Sequence, residues 1–124
     1  MHESGEMYLE TILVLGKRQN TVRSIDIAQE MGFSKASVSR AVSKLKLEGY
    51  ILIDSNGYIA LTEKGHDLAA RIYERHIVLT KMLVDLGVDE ETAVDDACRM
   101  EHVISDASFA AIKEHIRTKH ALDV

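Results

Sequence analysis

The chain has 124 residues, of which 46% are apolar and 28% charged, a composition that suits one compact domain or two small ones and excludes a disordered chain. Proline is absent and aromatics make up 5%, so aliphatic helical packing is expected rather than a β-sandwich. The net charge of -5 is unevenly spread: ten Lys/Arg balance ten Asp/Glu up to residue 75, five meet ten beyond it, and residues 17–46 carry seven basic side chains against Asp26 and Glu30.

Residues 6–16 place Met7, Leu9, Ile12, Leu13 and Leu15 in a helical pattern that ends near Gly16. Ser24 is the expected N-cap of a short second helix, SIDIAQEMG, in which Ile25, Ala28 and Met31 recur on one face and Gly32 is the stop. Ser34 caps a longer third helix, KASVSRAVSKLKLEG. It sets Val38, Ala41, Val42 and Leu45 on one face and Ser37, Arg40 and Lys44 on another, and closes at Gly49. YILIDSNGYIALT then reads as two β runs, 50–54 and 57–62, because Asn-Gly between apolar runs signals a hairpin.

From Thr62 or Gly65 to about Leu86 a long helix carries Leu68, Ile72, His76, Leu79, Leu83 and Leu86 as one apolar stripe, and Gly87 ends it. Asp89 is the expected N-cap of the next helix, and a last helix holds Phe109, Ile112 and Ile116 at helical spacing. Helix, short helix, tight turn, basic helix and hairpin is the outline of a winged helix-turn-helix. The expected fold is mainly α with a small β-hairpin wing, divided into a DNA-binding part over 1–64 and a helical part over 65–124.

No stretch reaches the roughly 20 apolar residues of a bilayer span, and the acidic start lacks the basic n-region of a secretory signal, so a cytoplasmic location is expected. The single Cys98 suits a reducing compartment.

Cys98, Glu101 and His102 stand at i, i+3 and i+4, a spacing that projects all three from one helix face. Thiolate, carboxylate and imidazole together suit a divalent transition metal better than calcium or magnesium. Taken alone, the same three residues also describe a buried free thiol beside a solvated Glu and His. Met7 and Glu10 pair at i, i+3 on the first helix and His76 lies on an apolar stripe, where a core Met, a solvated Glu and a hydrogen-bonded core His are the ordinary readings.

Four segments carry a resemblance: EMYLETI at 6–12, SKASVSRAV at 34–42, RH at 75–76 and DDACRMEHVISD at 95–106. Together they resemble the diphtheria toxin repressor family of iron- and manganese-dependent transcriptional regulators, in a short form lacking that family's SH3-like third domain. The resemblance implies a primary metal site of Met7, Cys98, Glu101 and His102. It implies a second site of Glu10 and His76, sharing Glu101, as in the manganese-sensing branch. The iron-sensing branch's ancillary site looks degraded, since Thr80 and Val94 stand at two of its ligand positions.

Met and Cys are softer donors than carboxylates, which puts Fe(II) first as activator and Mn(II) second, with Co(II), Ni(II) or Zn(II) accommodated in vitro. A homodimer on a palindromic DNA operator, repressing metal-uptake genes, is implied as well. For DNA contacts, the first turns of a recognition helix select Ser34, Lys35, Ala36, Ser37, Ser39 and Arg40, with Lys44 further along. Two competing readings are a winged-helix regulator that senses no metal and a small metallohydrolase; against the latter, no phosphate loop or nucleophile elbow is present, so no enzyme activity is expected.

Overall fold

In a computed structural model that describes residues 3–122, the chain forms six helices and one hairpin among the described residues, divided into two compact units, Met1–Arg71 and Ile72–Val124.

In the first unit, α1 (Glu3–Arg18) starts earlier than the apolar pattern predicts, with Glu3 and Glu6 in its first turn and Lys17 and Arg18 in its last, each favourable to the helix dipole. It buries Tyr8, Leu9, Ile12, Leu13 and Leu15 against α2 (Ser24–Met31), α3 (Lys35–Leu47) and the wing. Ser24 is not the N-cap of α2. The cap is Arg23, in extended conformation, because the Asp26 carboxylate accepts a 2.8 Å bond from the Arg23 N–H and starts the helix one residue sooner. The buried face of α2 is also rotated from the expected one: Ile27 and Ala28 are enclosed while Ile25 is exposed.

Helix α3 follows its pattern. Ser34 Oγ accepts from Ser37 N at 3.1 Å, and Val38, Val42 and Leu45 are buried at i, i+4 and i+7. It closes in a Schellman turn, with Tyr50 N donating to Leu45 O and Gly49, at φ 85°, donating to Lys46 O. The wing pairs β1 (Ile51–Ile53) with β2 (Ile59–Leu61) antiparallel, Ile51 opposite Leu61, and Ile59 N also bonds Val22 O at 2.7 Å.

In the second unit, the portion of α4 (Glu63–Asp85) from Ile72 onward, α5 (Glu90–Met100) and α6 (Asp106–Leu122) supply the core: Ile72, Leu79, Ala93, Ala97, Phe109 and Ile116. Gly87 ends α4 in a second Schellman turn, and Asp89 caps α5 by accepting from Thr92 N at 3.0 Å. Leu86 is 74% exposed, so the expected stripe on α4 stops short of its last member. Among the described residues no helix is long and apolar enough to cross a membrane.

Candidate functional site

Cys98 occupies the last turn of α5, whose final residue is Met100; Glu101 is the C-cap and His102 lies in the turn that follows. The three expected ligands therefore do not share one uninterrupted helix. Their helical spacing nevertheless persists, because Glu101 keeps right-handed helical angles (φ -60°, ψ -24°) and its N–H still reaches Ala97 O.

Glu101 is the centre of the arrangement and is 1% exposed. Burying a carboxylate is costly unless it meets donors or positive charge. His76, one turn beyond Ile72 on α4, brings Nδ1 to 3.0 Å from Glu101 Oε2 and 3.7 Å from Cys98 Sγ. On the other side, His102 Nε2 lies 3.3 Å from Glu101 Oε1 and its side chain has no exposed surface. One donor atom each from His76, Cys98 and Glu101 falls within 4.8 Å of the others, a spacing that one ion could span. Thiolate, imidazole and carboxylate at that spacing fit a borderline-soft divalent metal and match no hard-cation cage.

Cys98 is half-buried, outside any disulfide, and grouped with His76 as well as with the motif's own Glu101. An open cavity of about 500 Å3, lined by His76, Thr80, Asp85 and Glu90 among others, adjoins His76. Thr80 and Val94 are half-buried. Met7 and Glu10 sit on α1 in the first unit, both half-buried, with Thr11 Oγ1 donating to Met7 O at 2.8 Å.

Sequence reasoning missed the part played by Arg75. The guanidinium, 8% exposed, donates to the carbonyls of Glu101 at 3.2 Å and Ile104 at 2.7 Å and pairs with Asp106. The available cue was a charged residue three after Ile72 and four before Leu79, on the apolar stripe of α4.

On the first unit, Lys35, Ala36, Ser39, Arg40 and Lys44 are exposed along α3, opposite its buried Val38–Val42–Leu45 face. Ser34 and Ser37 have structural partners: Ser34 Oγ caps the helix and bonds Ser37 Oγ at 3.0 Å, and Arg40 Nη2 reaches the same Ser37 Oγ at 3.4 Å. Ser37 thus draws one nitrogen of the exposed Arg40 fork toward the N-terminal end of α3.

The family description "Iron dependent repressor, N-terminal DNA binding domain" matches residues 1–66, and "Iron dependent repressor, metal binding and dimerisation domain" matches residues 62–120. The chain is similar to an uncharacterised HTH-type transcriptional regulator of Methanocaldococcus jannaschii, 34% identical over 91% of this chain and 92% of that protein. It is 34% identical to the iron-dependent repressor IdeR of Mycobacterium tuberculosis over 84% of this chain, and there it spans 46% of the relative's length. Among solved structures, the manganese regulator SloR superposes with a TM-score of 0.82 at 30% identity, over 91% of this chain and 53% of that one.

Proposed function

The chain belongs to the iron-dependent repressor family, whose DNA-binding and metal-binding dimerisation domains it contains, and on that premise we propose that it represses metal-uptake genes when Fe(II) or Mn(II) binds. The observation that carries this reading is the convergence of His76, Cys98 and Glu101 within 4.8 Å in the domain that follows a winged helix.

Cys98, Glu101 and His102, with Met7 by family resemblance, form the primary ligand set. Glu10 and His76 complete a second site that shares Glu101. The 3.0 Å approach of His76 to Glu101 supports the shared carboxylate, and the 3.7 Å approach of Cys98 to His76 supports a thiolate that serves either ion. Of the proteins it resembles, IdeR is an iron-dependent repressor and SloR a manganese regulator. Met and Cys donors favour Fe(II) first.

When bound, the ion supplies positive charge and a multidentate tie among these side chains. The chain's own residues do the rest: His76 orients the buried Glu101 carboxylate, with the His102 imidazole 3.3 Å from its other oxygen, and Arg40 and Lys44 present the DNA-facing charge. Metal controls DNA affinity to the extent that it binds the DNA-competent state more tightly than the alternative. The functional division falls at 1–64 and 65–124, the protein acts in the cytoplasm, and a homodimer presents two α3 helices to a palindromic operator.

The test is an anaerobic mobility-shift assay on operator DNA across Fe(II), Mn(II), Co(II), Ni(II) and Zn(II). Cys98→Ala and His102→Ala should stay folded dimers and lose the metal-dependent shift. An unchanged metal response in both variants refutes the ligand assignment.

A further inference from the structure

A guanidinium removed from water must place its N–H groups on acceptors, because an unsatisfied buried donor or charge is expensive. Arg75 does so with its two terminal nitrogens, while Nε is buried without an acceptor, and at one place: the turn between α5 and α6. Nη1 donates to Glu101 O at 3.2 Å and Ile104 O at 2.7 Å, Nη2 pairs with Asp106, the first residue of α6, and the guanidinium lies 5.4 Å from the centre of the Phe109 ring. The last carbonyls of a helix have no intrahelical donors, and a cation there also meets the negative end of the helix dipole.

The two acceptor carbonyls bracket the segment that contains His102. The next residue on α4, His76, meets the Glu101 carboxylate. Adjacent residues of one helix therefore hold the main chain and the side chain of the same ligand.

We infer that Arg75 is a positioning residue for the metal site: it fixes the 101–104 turn so that Cys98, Glu101 and His102 are pre-arranged before an ion arrives. The inference rests on the metal-dependent reading above. It is opposed by a second effect, since the positive charge of Arg75 disfavours a nearby cation, partly offset by Asp106. The two effects separate by substitution. Arg75→Lys keeps the charge and loses the planar fork that reaches two carbonyls and a carboxylate, whereas Arg75→Met loses both. Positioning predicts that both variants bind metal more weakly. A role through charge alone predicts that the Lys variant matches wild type and the Met variant binds more tightly.

The experiment titrates Co(II) and Mn(II) anaerobically into wild type, Arg75→Lys, Arg75→Met and Asp106→Asn. It follows the thiolate-to-cobalt absorption and chelator competition, and in parallel measures amide hydrogen exchange of the metal-free proteins. Arg75→Met should lose about 10- to 100-fold in affinity, the range for removing a partner that orients a ligand. Arg75→Lys and Asp106→Asn should lose less, with a weakened cobalt–thiolate band, and exchange at Val103 and Ile104 should quicken in all three.

Wild-type affinity and wild-type exchange in Arg75→Lys and Arg75→Met overturn the proposal, as does tighter binding by Arg75→Met. Should Arg75→Met fail to fold, Arg75→Lys and Asp106→Asn decide by the same criteria. Failure of wild type to bind either ion refutes the metal-dependent reading itself, and the exchange measurement then tests separately whether Arg75 fixes the turn.

Discussion

Replacing Gly65 with Ala tests how tightly the wing is joined to the start of α4. An added Cβ would lie 2.0 Å from Tyr50 O and 3.0 Å from Tyr50 C, where ordinary contact begins at 3.4 Å, and the obstruction is backbone that cannot rotate away. The junction is also bonded around that point. Thr62 N donates to Tyr50 O at 3.1 Å, and Thr62 Oγ1 donates to Gly49 O at 2.8 Å and accepts from Gly65 N at 3.1 Å. Lys64 Nζ reaches Glu48 O at 3.1 Å while lying over the Tyr50 ring.

Relief of the clash needs a relative shift of more than 1 Å, which stretches those bonds. Ala gains about 1 kcal/mol over Gly in a helix interior. Overpacking costs about 1 to 3 kcal/mol, and each hydrogen bond lost adds about 1 kcal/mol. The steric cost wins, leaving a net loss of about 1 to 3 kcal/mol, read in urea as a midpoint lowered by about 1 M at a slope near 2 kcal/mol/M. Gly16→Ala is the control: it lies within α1 and an added Cβ meets nothing within 4 Å, so it should gain up to about 1 kcal/mol. If Gly65→Ala matches wild type or rises alongside Gly16→Ala, the close approach to Tyr50 is not what the structure indicates.

Lys44→Ala should weaken operator and non-specific DNA alike and reduce the slope of log K against log salt by about 1, whereas Arg40→Ala should relax base preference by about 1 to 3 kcal/mol; titrations at several salt concentrations distinguish the two. Asp89 is held below its ordinary 3.8 by accepting the Thr92 N–H, so its stabilisation is complete above that value and is lost as pH falls through the depressed folded value. Thermal melts taken down through that range should show an acid-labile component in wild type that Asp89→Asn, still a capable cap, lacks. Glu101→Gln should keep the metal-free fold and lose most of the rise in melting temperature on adding Mn(II) or Co(II), a rise that corresponds to about 2.7 kcal/mol at 100 times the dissociation constant. A full metal-induced rise in that variant would show that the buried carboxylate is not a ligand.

Periodicity and punctuation made most of the fold legible, since each glycine stop and each Ser or Asp cap acts through its own neighbours. Gly49 and Gly87 end helices because they adopt positive φ, and Asp89 caps because its carboxylate reaches Thr92 N. Less legible was anything set by a side chain choosing between local partners. Asp26 moved the start of α2 to Arg23. At the wing tip the join at Ser55-Asn56-Gly57 was legible, but not that Asp54 Oδ1 would accept from Asn56 N and Tyr58 N to close it, with positive φ at Gly57.

The spacing of the proposed ligands Cys98, Glu101 and His102 was readable because helical angles outlast the helix by a residue. The partners that give it meaning, His76 and Arg75, stand more than 20 residues away, and no spacing rule reaches them. The resemblance pointed to His76, and the one cue to Arg75, a charged residue on the apolar stripe of α4, did not say what it would meet. That asymmetry has a physical cause. A carboxylate that is 1% exposed must be compensated by whatever the fold brings to it, and here the compensation comes from a different helix, with imidazole at the side chain and guanidinium at the carbonyl. Local sequence supplies the carboxylate; tertiary packing supplies the reason it can be buried, and a divalent cation at the same carboxylate would add to that compensation, linking metal binding to the stability of the second unit.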